Sequence, residues 1–287
     1  MKRFLLAISI SFASIGLLAS QAISAPVTNR GGITDTRHNL MVPYANALML
    51  GVKGTLYNDY GEVCVYCHTP HGAATNAPLW NRTLPATGNY TPYSSTTMDT
   101  IVGQPDGISL ACLSCHDGTI AVDSIINKPG SGYYTPGGST DWGPNTAGNH
   151  FGLAQSGQTT SATGSCLLCH FQGSGIAPAY EVAAFTQNLS NQHPISMNYP
   201  TPAQDPMFNQ PTNSNGRVAW FETGGMANRA DDNEIKLYSD GASGYKVQCA
   251  SCHNPHGTLS SDGVNLYPTF LRKSNSSSAL CTTCHIK

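Results

Sequence analysis

Cys64-Val65-Tyr66-Cys67-His68-Thr69-Pro70-His71-Gly72 holds two cysteines two residues apart, with a histidine directly after the second. In that arrangement the thiols can add to the two vinyl groups of a porphyrin while the imidazole reaches the iron from the same side, which is the attachment signature of a c-type haem. Spacing matters because two thioether bonds about one helical turn apart clamp one edge of the ring over the histidine.

The pattern recurs at Cys112, Cys115 and His116; at Cys166, Cys169 and His170; at Cys249, Cys252 and His253; and at Cys281, Cys284 and His285. Together the five use all ten cysteines of the chain. Disulfide frameworks and zinc ribbons also use C-x-x-C pairs. Neither explains a histidine after every pair. The cofactor expected is therefore haem c, five copies, covalently attached.

Residues 1–25 read as a secretory signal: Lys2 and Arg3 precede a short apolar run that is too brief to span a bilayer, and cleavage follows Ala22 or Ala25. Export agrees with the cysteines, because bacteria attach haem to these proteins outside the cytoplasm. No later apolar run is long enough to cross a membrane, so no membrane span is expected. Cys64 is the first cysteine, leaving none at the cleavage site to carry a lipid.

Composition points the same way. Only 10% of residues are charged, against the ~25% usual in soluble proteins. Glycine (29) and proline (18) are abundant, so long helices and strands are disfavoured. Five haem sites in 287 residues leave each far less chain than the ~100–150 residues of a typical domain. The expected fold class is a mostly irregular, loop-rich multihaem cytochrome c. Short helices sit at the CxxCH motifs, strands are few and short, and the core is built around five haems. Residues 26–287 then form a single pentahaem electron-transfer domain. A net charge of −2 gives no basis for nucleic-acid binding.

Along the chain, 40–50 is apolar and suited to packing, 73–107 is a proline-punctuated loop, and 108–116 reads as a short helix. Residues 127–164 form a long Gly/Ser/Thr loop containing Trp142 and His150, and 177–188 reads as a second short helix. Residues 218–222 and 234–238 read as paired short strands around the turn-like 224–233.

The axial ligands can be counted. Five histidines lie inside the motifs, and five others remain: His38, His71, His150, His193 and His256. Five irons needing five second ligands is the arithmetic of bis-histidine ligation throughout. Methionine is the rival ligand, with Met41, Met49, Met98, Met197, Met207 and Met226 available. His71 and His256 each follow a motif histidine by three residues, within a shared Cys-x-x-Cys-His-x-Pro-His-Gly. So close a residue cannot easily reach the opposite face of the same ring and is better placed to reach another haem. An iron with both axial positions filled moves electrons but has no place for substrate. No catalytic residues are expected.

The motifs, with the signal and the loop-rich composition, resemble the multihaem c-type cytochromes of metal-reducing bacteria. Within that group, Cys64-x-x-Cys-His-Thr-Pro-His71, Cys112-Leu-Ser-Cys-His-Asp-Gly118, His193-Pro194 and Cys281-Thr-Thr-Cys-His285 are similar to the extracellular cytochromes that polymerise into conductive filaments. The better-known filament subunits hold four, six or eight haems, and five departs from those counts. The resemblance implies an exported protein, extracellular or on the cell surface, that self-assembles through His38 on a haem of the neighbouring subunit. It would exchange electrons with redox partner proteins or extracellular acceptors. The alternative is a monomeric periplasmic pentahaem shuttle. Pentahaem nitrite reductases share the haem number but carry a Cys-x-x-Cys-Lys site, which is absent here.

Overall fold

Gly107–His116 forms the longest helix, α1, of a computed structural model that describes residues 32–40, 60–75, 77–120, 125–127, 185–225, 229–239, 241 and 244–286. The 1–25 segment, nearly all of 40–50, most of 127–164 and 177–188, the third motif and His150 lie outside those residues. α1 follows Pro105-Asp106, buries Leu110, Ala111 and Leu113, and stops where Gly118 takes a φ of +76°. Beneath it Asp117 is fully buried. It accepts hydrogen bonds from the Tyr90 hydroxyl (2.6 Å) and from Thr119 (2.8 Å to N, 2.7 Å to Oγ1). Two single-turn helices, α2 (Cys249–Cys252) and α3 (Cys281–Cys284), lie on later motifs.

Five short strands make one antiparallel sheet: β1 (Met197–Asn198), β2 (Asn213–Ser214), β3 (Val218–Trp220), β4 (Lys236–Ser239) and β5 (Tyr245–Val247), in the order β1-β5-β4-β3-β2. Val218 lies opposite Tyr238 and Trp220 opposite Lys236, the hairpin expected from the sequence, with β4 starting two residues later than read. The described end of the helix expected at 177–188, from 185 onward, is not helical.

Apolar side chains gather in three small clusters, each beside a motif. Tyr60, Val65, Tyr66 and Ile125 pack with Cys67. Tyr90, Leu110, Leu113 and Leu189 pack around α1. Ala219, Phe221, Ile235 and Leu237 line the sheet beneath Leu280 and Cys284. A polar knot ties the second motif to the fourth. Gln248, buried ahead of α2, accepts hydrogen bonds from Ser109 of α1 and from Ser196, and donates to Asp106 at 2.8 Å. Ser109 Oγ also accepts the Cys249 N–H at 3.1 Å.

One local architecture repeats at three of the motifs. After His68, His253 and His285 the chain forms an antiparallel bridge to Trp80, Leu271 and Phe208 respectively. In each case the residue after the bridge partner (Asn81, Arg272 or Asn209) sends its backbone N–H to the carbonyl of the motif's second cysteine, at 2.8–2.9 Å. Its side chain then donates to the carbonyl just after the first cysteine: Asn81 to Val65 (2.7 Å), Arg272 to Ala250 (2.9 Å) and Asn209 to Thr282 (3.1 Å). A one-turn helix leaves its carbonyls without partners, and this bracket satisfies them. At the second motif, Arg82 does related work on the carbonyl of Ser114 (2.7 Å).

Gly257, directly after His256, turns the chain at φ +85°. A Cβ there would stand 2.5 Å from Leu266 Cδ1, whereas at Gly72 (φ +66°) the nearest atom is the Asn127 amide nitrogen at 3.3 Å. Gly257→Ala is expected to cost about 1–3 kcal/mol from the left-handed backbone alone, with the Leu266 clash added. Gly72→Ala should cost less. Paired thermal melts of the two variants check the order.

Candidate functional site

At the four described motifs the cysteines and histidine lie on one helical turn. The histidine N–H reaches back to the first cysteine's carbonyl at 2.8 Å for His68, 3.1 Å for His253 and 2.9 Å for His285, while His116 ends α1. Both cysteines and the imidazole are thereby held on one short, bracketed segment.

The histidine rings are oriented by carbonyls. His68 Nδ1 bonds to Pro78 O (2.8 Å), His253 Nδ1 to Thr269 O (2.8 Å), His38 Nδ1 to Pro255 O (2.9 Å) and His193 Nδ1 to Pro194 O (3.0 Å). A carbonyl can only accept, so each Nδ1 carries a proton, and it is the Nε2 side of each ring that is left to meet a metal. Metal-ligating histidines are ordinarily held in this way. The acceptor loops are strained. Leu79, Thr269 and Phe270 sit at φ +54°, +53° and +60°, a region costly for residues other than glycine and often found at functional sites.

The rings lie close in pairs, near-parallel for His68 with His256 (20°) and edge-on for the other two (72° and 64°). His38 and His116 are 6.1 Å apart between centroids, His68 and His256 are 6.2 Å apart, and His193 and His285 are 6.5 Å apart. Each pair joins one motif histidine to one histidine from outside the motifs. Two imidazoles sharing an ion between them, with metal–nitrogen bonds of about 2.0 Å and about 1.1 Å from nitrogen to ring centre, would lie about 6.2 Å apart. The three spacings fit a two-ligand, opposite-face centre. Among the described residues no group of three or more His, Cys, Asp or Glu side chains gathers to hold a metal by itself.

Each motif histidine in these pairs also leans on an aromatic ring: His68 on Trp80 (6.0 Å), His116 on Phe185 (5.6 Å) and His285 on Phe208 (4.5 Å). His38 stacks on Phe270 at 4.2 Å. Burial lowers the pKa of His38 and His256, with neighbouring imidazoles adding to it, and both rings are thus kept in the neutral form that a metal accepts.

Neighbouring motifs are tied by hydrogen bonds: Arg82, next to the Asn81 that brackets the first motif, reaches Ser114 of the second, and Ser109 of α1 joins Gln248 and Cys249 of the fourth. Burial pushes Cys67 and Cys252 up to about 12 and Cys284 up to about 11, so in the folded chain these thiols are neutral and poorly nucleophilic.

The site residues expected from the sequence are thus distributed as follows. His256, three residues after His253, meets His68 of the other Cys-x-x-Cys-His-x-Pro-His-Gly segment. The resemblance places His38 on a haem of a neighbouring subunit; within its own chain the His38 ring lies 6.1 Å from that of His116. His71 is exposed, and among the described residues no other imidazole faces it or His253. His150, Cys166, Cys169 and His170 lie outside the described residues. The bracketing Asn81, Asn209 and Arg272, and the aromatics Trp80, Phe185 and Phe208, escape sequence reasoning. They lie far from their motifs in the chain and match no spacing rule.

Among the described residues no helix is long and apolar enough to cross a membrane. In comparison with known proteins, the chain matches no family model and no curated protein.

Proposed function

We propose that the chain is an electron carrier that holds five c-type haems and passes electrons along them. The observation that carries this reading is the set of three facing imidazole pairs at 6.1, 6.2 and 6.5 Å, each made of one motif histidine and one histidine from elsewhere. When bound, haem iron supplies one-electron chemistry between its ferric and ferrous states. The protein's own groups do the rest. The cysteines would fix each porphyrin edge; His68, His116 and His285 would hold three irons from one side, and His256, His38 and His193 would hold the same three from the other. Nδ1–H bonds to carbonyls keep His38, His68, His193 and His253 aimed. Irons held from both sides would keep no position for substrate, and a reductase activity is not part of the proposal. The hydrogen bonds that tie α1 to the fourth motif would keep those two haems near one another, as rapid electron hopping requires.

The resemblance to filament-forming cytochromes supports export and use at the cell surface. His38 facing His116 of its own chain favours the second reading, a periplasmic shuttle that closes its ligand sets internally. The testing experiment is to purify the exported protein and measure haem per chain by alkaline pyridine spectroscopy, with electron microscopy of the same sample. Five low-spin haems per chain are expected, and any lower count at full maturation overturns the reading. Filaments would assign the chain to polymeric wires, and monodisperse particles to shuttles.

A further inference from the structure

Among the described residues, every buried polar side-chain atom has a hydrogen-bond partner except one, the Trp80 indole nitrogen. The contrast with Trp220 is direct, since that indole N–H reaches Glu222 Oε2 at 3.2 Å. An indole N–H can only donate, and one buried without an acceptor is disfavoured. Trp80 is also not free to turn away. Its backbone bridges both His68 and Ala74, with the Ala74 N–H on Trp80 O at 2.8 Å, and its ring meets the His68 ring edge-on at 6.0 Å and 85°. The orphan donor is therefore fixed beside the imidazole at the first motif.

We infer that the Trp80 N–H donates to a propionate of the haem held by His68 and His256, making Trp80 a positioning residue for that group. The inference rests on the haem reading proposed above. Its chemistry is that of a carboxylate acceptor. The porphyrin would bring two carboxylates beside the His68 and His256 rings, and neither ring, nor any other described side chain, accepts the Trp80 N–H. A donor on a propionate favours its ionised form and compensates its negative field at the iron. Without the donor, the propionate takes up its proton at higher pH. The ferric state at His68 gains stability above that pH.

The test uses the fully matured protein with 15N-labelled indoles, beside Trp80→Phe, which keeps an aromatic ring and removes the donor. In the reduced, diamagnetic protein, a slowly exchanging indole N–H is expected besides that of Trp220, and its signal should vanish in the variant. Resonance Raman should show the propionate bending band of one haem in five shifted in Trp80→Phe. The pH-linked step in that haem's potential should move to higher pH. A fast-exchanging Trp80 N–H in the unmutated protein overturns the inference without recourse to the variant. So does an unchanged propionate band in a variant that still carries five haems. A haem count below five in the unmutated protein overturns the function reading itself, and this inference with it.

Discussion

His256→Ala converts one iron in five from a closed site to an open one, and the reduced variant binds one carbon monoxide per chain where the parent binds none. The ring removed lies 6.2 Å from that of His68, and among the described residues no other imidazole ring pairs with His68. The bracket around the first motif is built from Asn81, Trp80 and Pro78 rather than from His256, so His68 should stay in place. Optical titration with carbon monoxide reads the stoichiometry directly. His256→Met should instead keep six ligands and raise that haem's potential by a sizeable part of the ~0.8 V range over which axial ligands act. His38→Ala tests the second pair in the same way, opening the iron on His116. If neither alanine variant binds carbon monoxide, the pairing is wrong even where five haems are present.

The second large effect is the loss of the whole fold when haem is withheld. Expressed in a cell compartment without the attachment machinery, the chain should give a coil-like circular dichroism spectrum and no cooperative melt. The physical reason is that, among the described residues, apolar side chains divide into three small clusters, none of which matches the ordering entropy of a chain so rich in glycine and proline. Small metal-dependent domains behave likewise. A cooperative melt of the haem-free chain would overturn this account.

How much of this is legible in the sequence depends on distance along the chain. α1 is legible because Ile108, Leu110, Ala111 and Leu113 sit together and Gly118 ends the run. The β3–β4 hairpin is legible for a similar reason, its two apolar runs flanking a turn-like stretch. The motif triplets are legible because the chemistry demands a fixed local spacing. The axial pairings are not: a count of ten histidines balances the ligands without saying that His38 meets His116 or that His193 meets His285. Nor does any local signal show that Phe208 precedes its motif by a long stretch while Trp80 and Leu271 follow theirs. Those choices are made by tertiary packing between segments that share no periodicity.

The three-fold bracket carries a consequence for how such a chain can change over time. Its partner strand comes from after the motif at His68 and His253 but from before it at His285, and the intervening loops differ in length. The bracket therefore depends on two hydrogen bonds and a bridge, and not on chain order. A unit with so few requirements is portable. Copies can be gained, lost or moved in a lineage without rebuilding the rest of the molecule, and the number of bracketed motifs becomes a quantity that selection can adjust one step at a time.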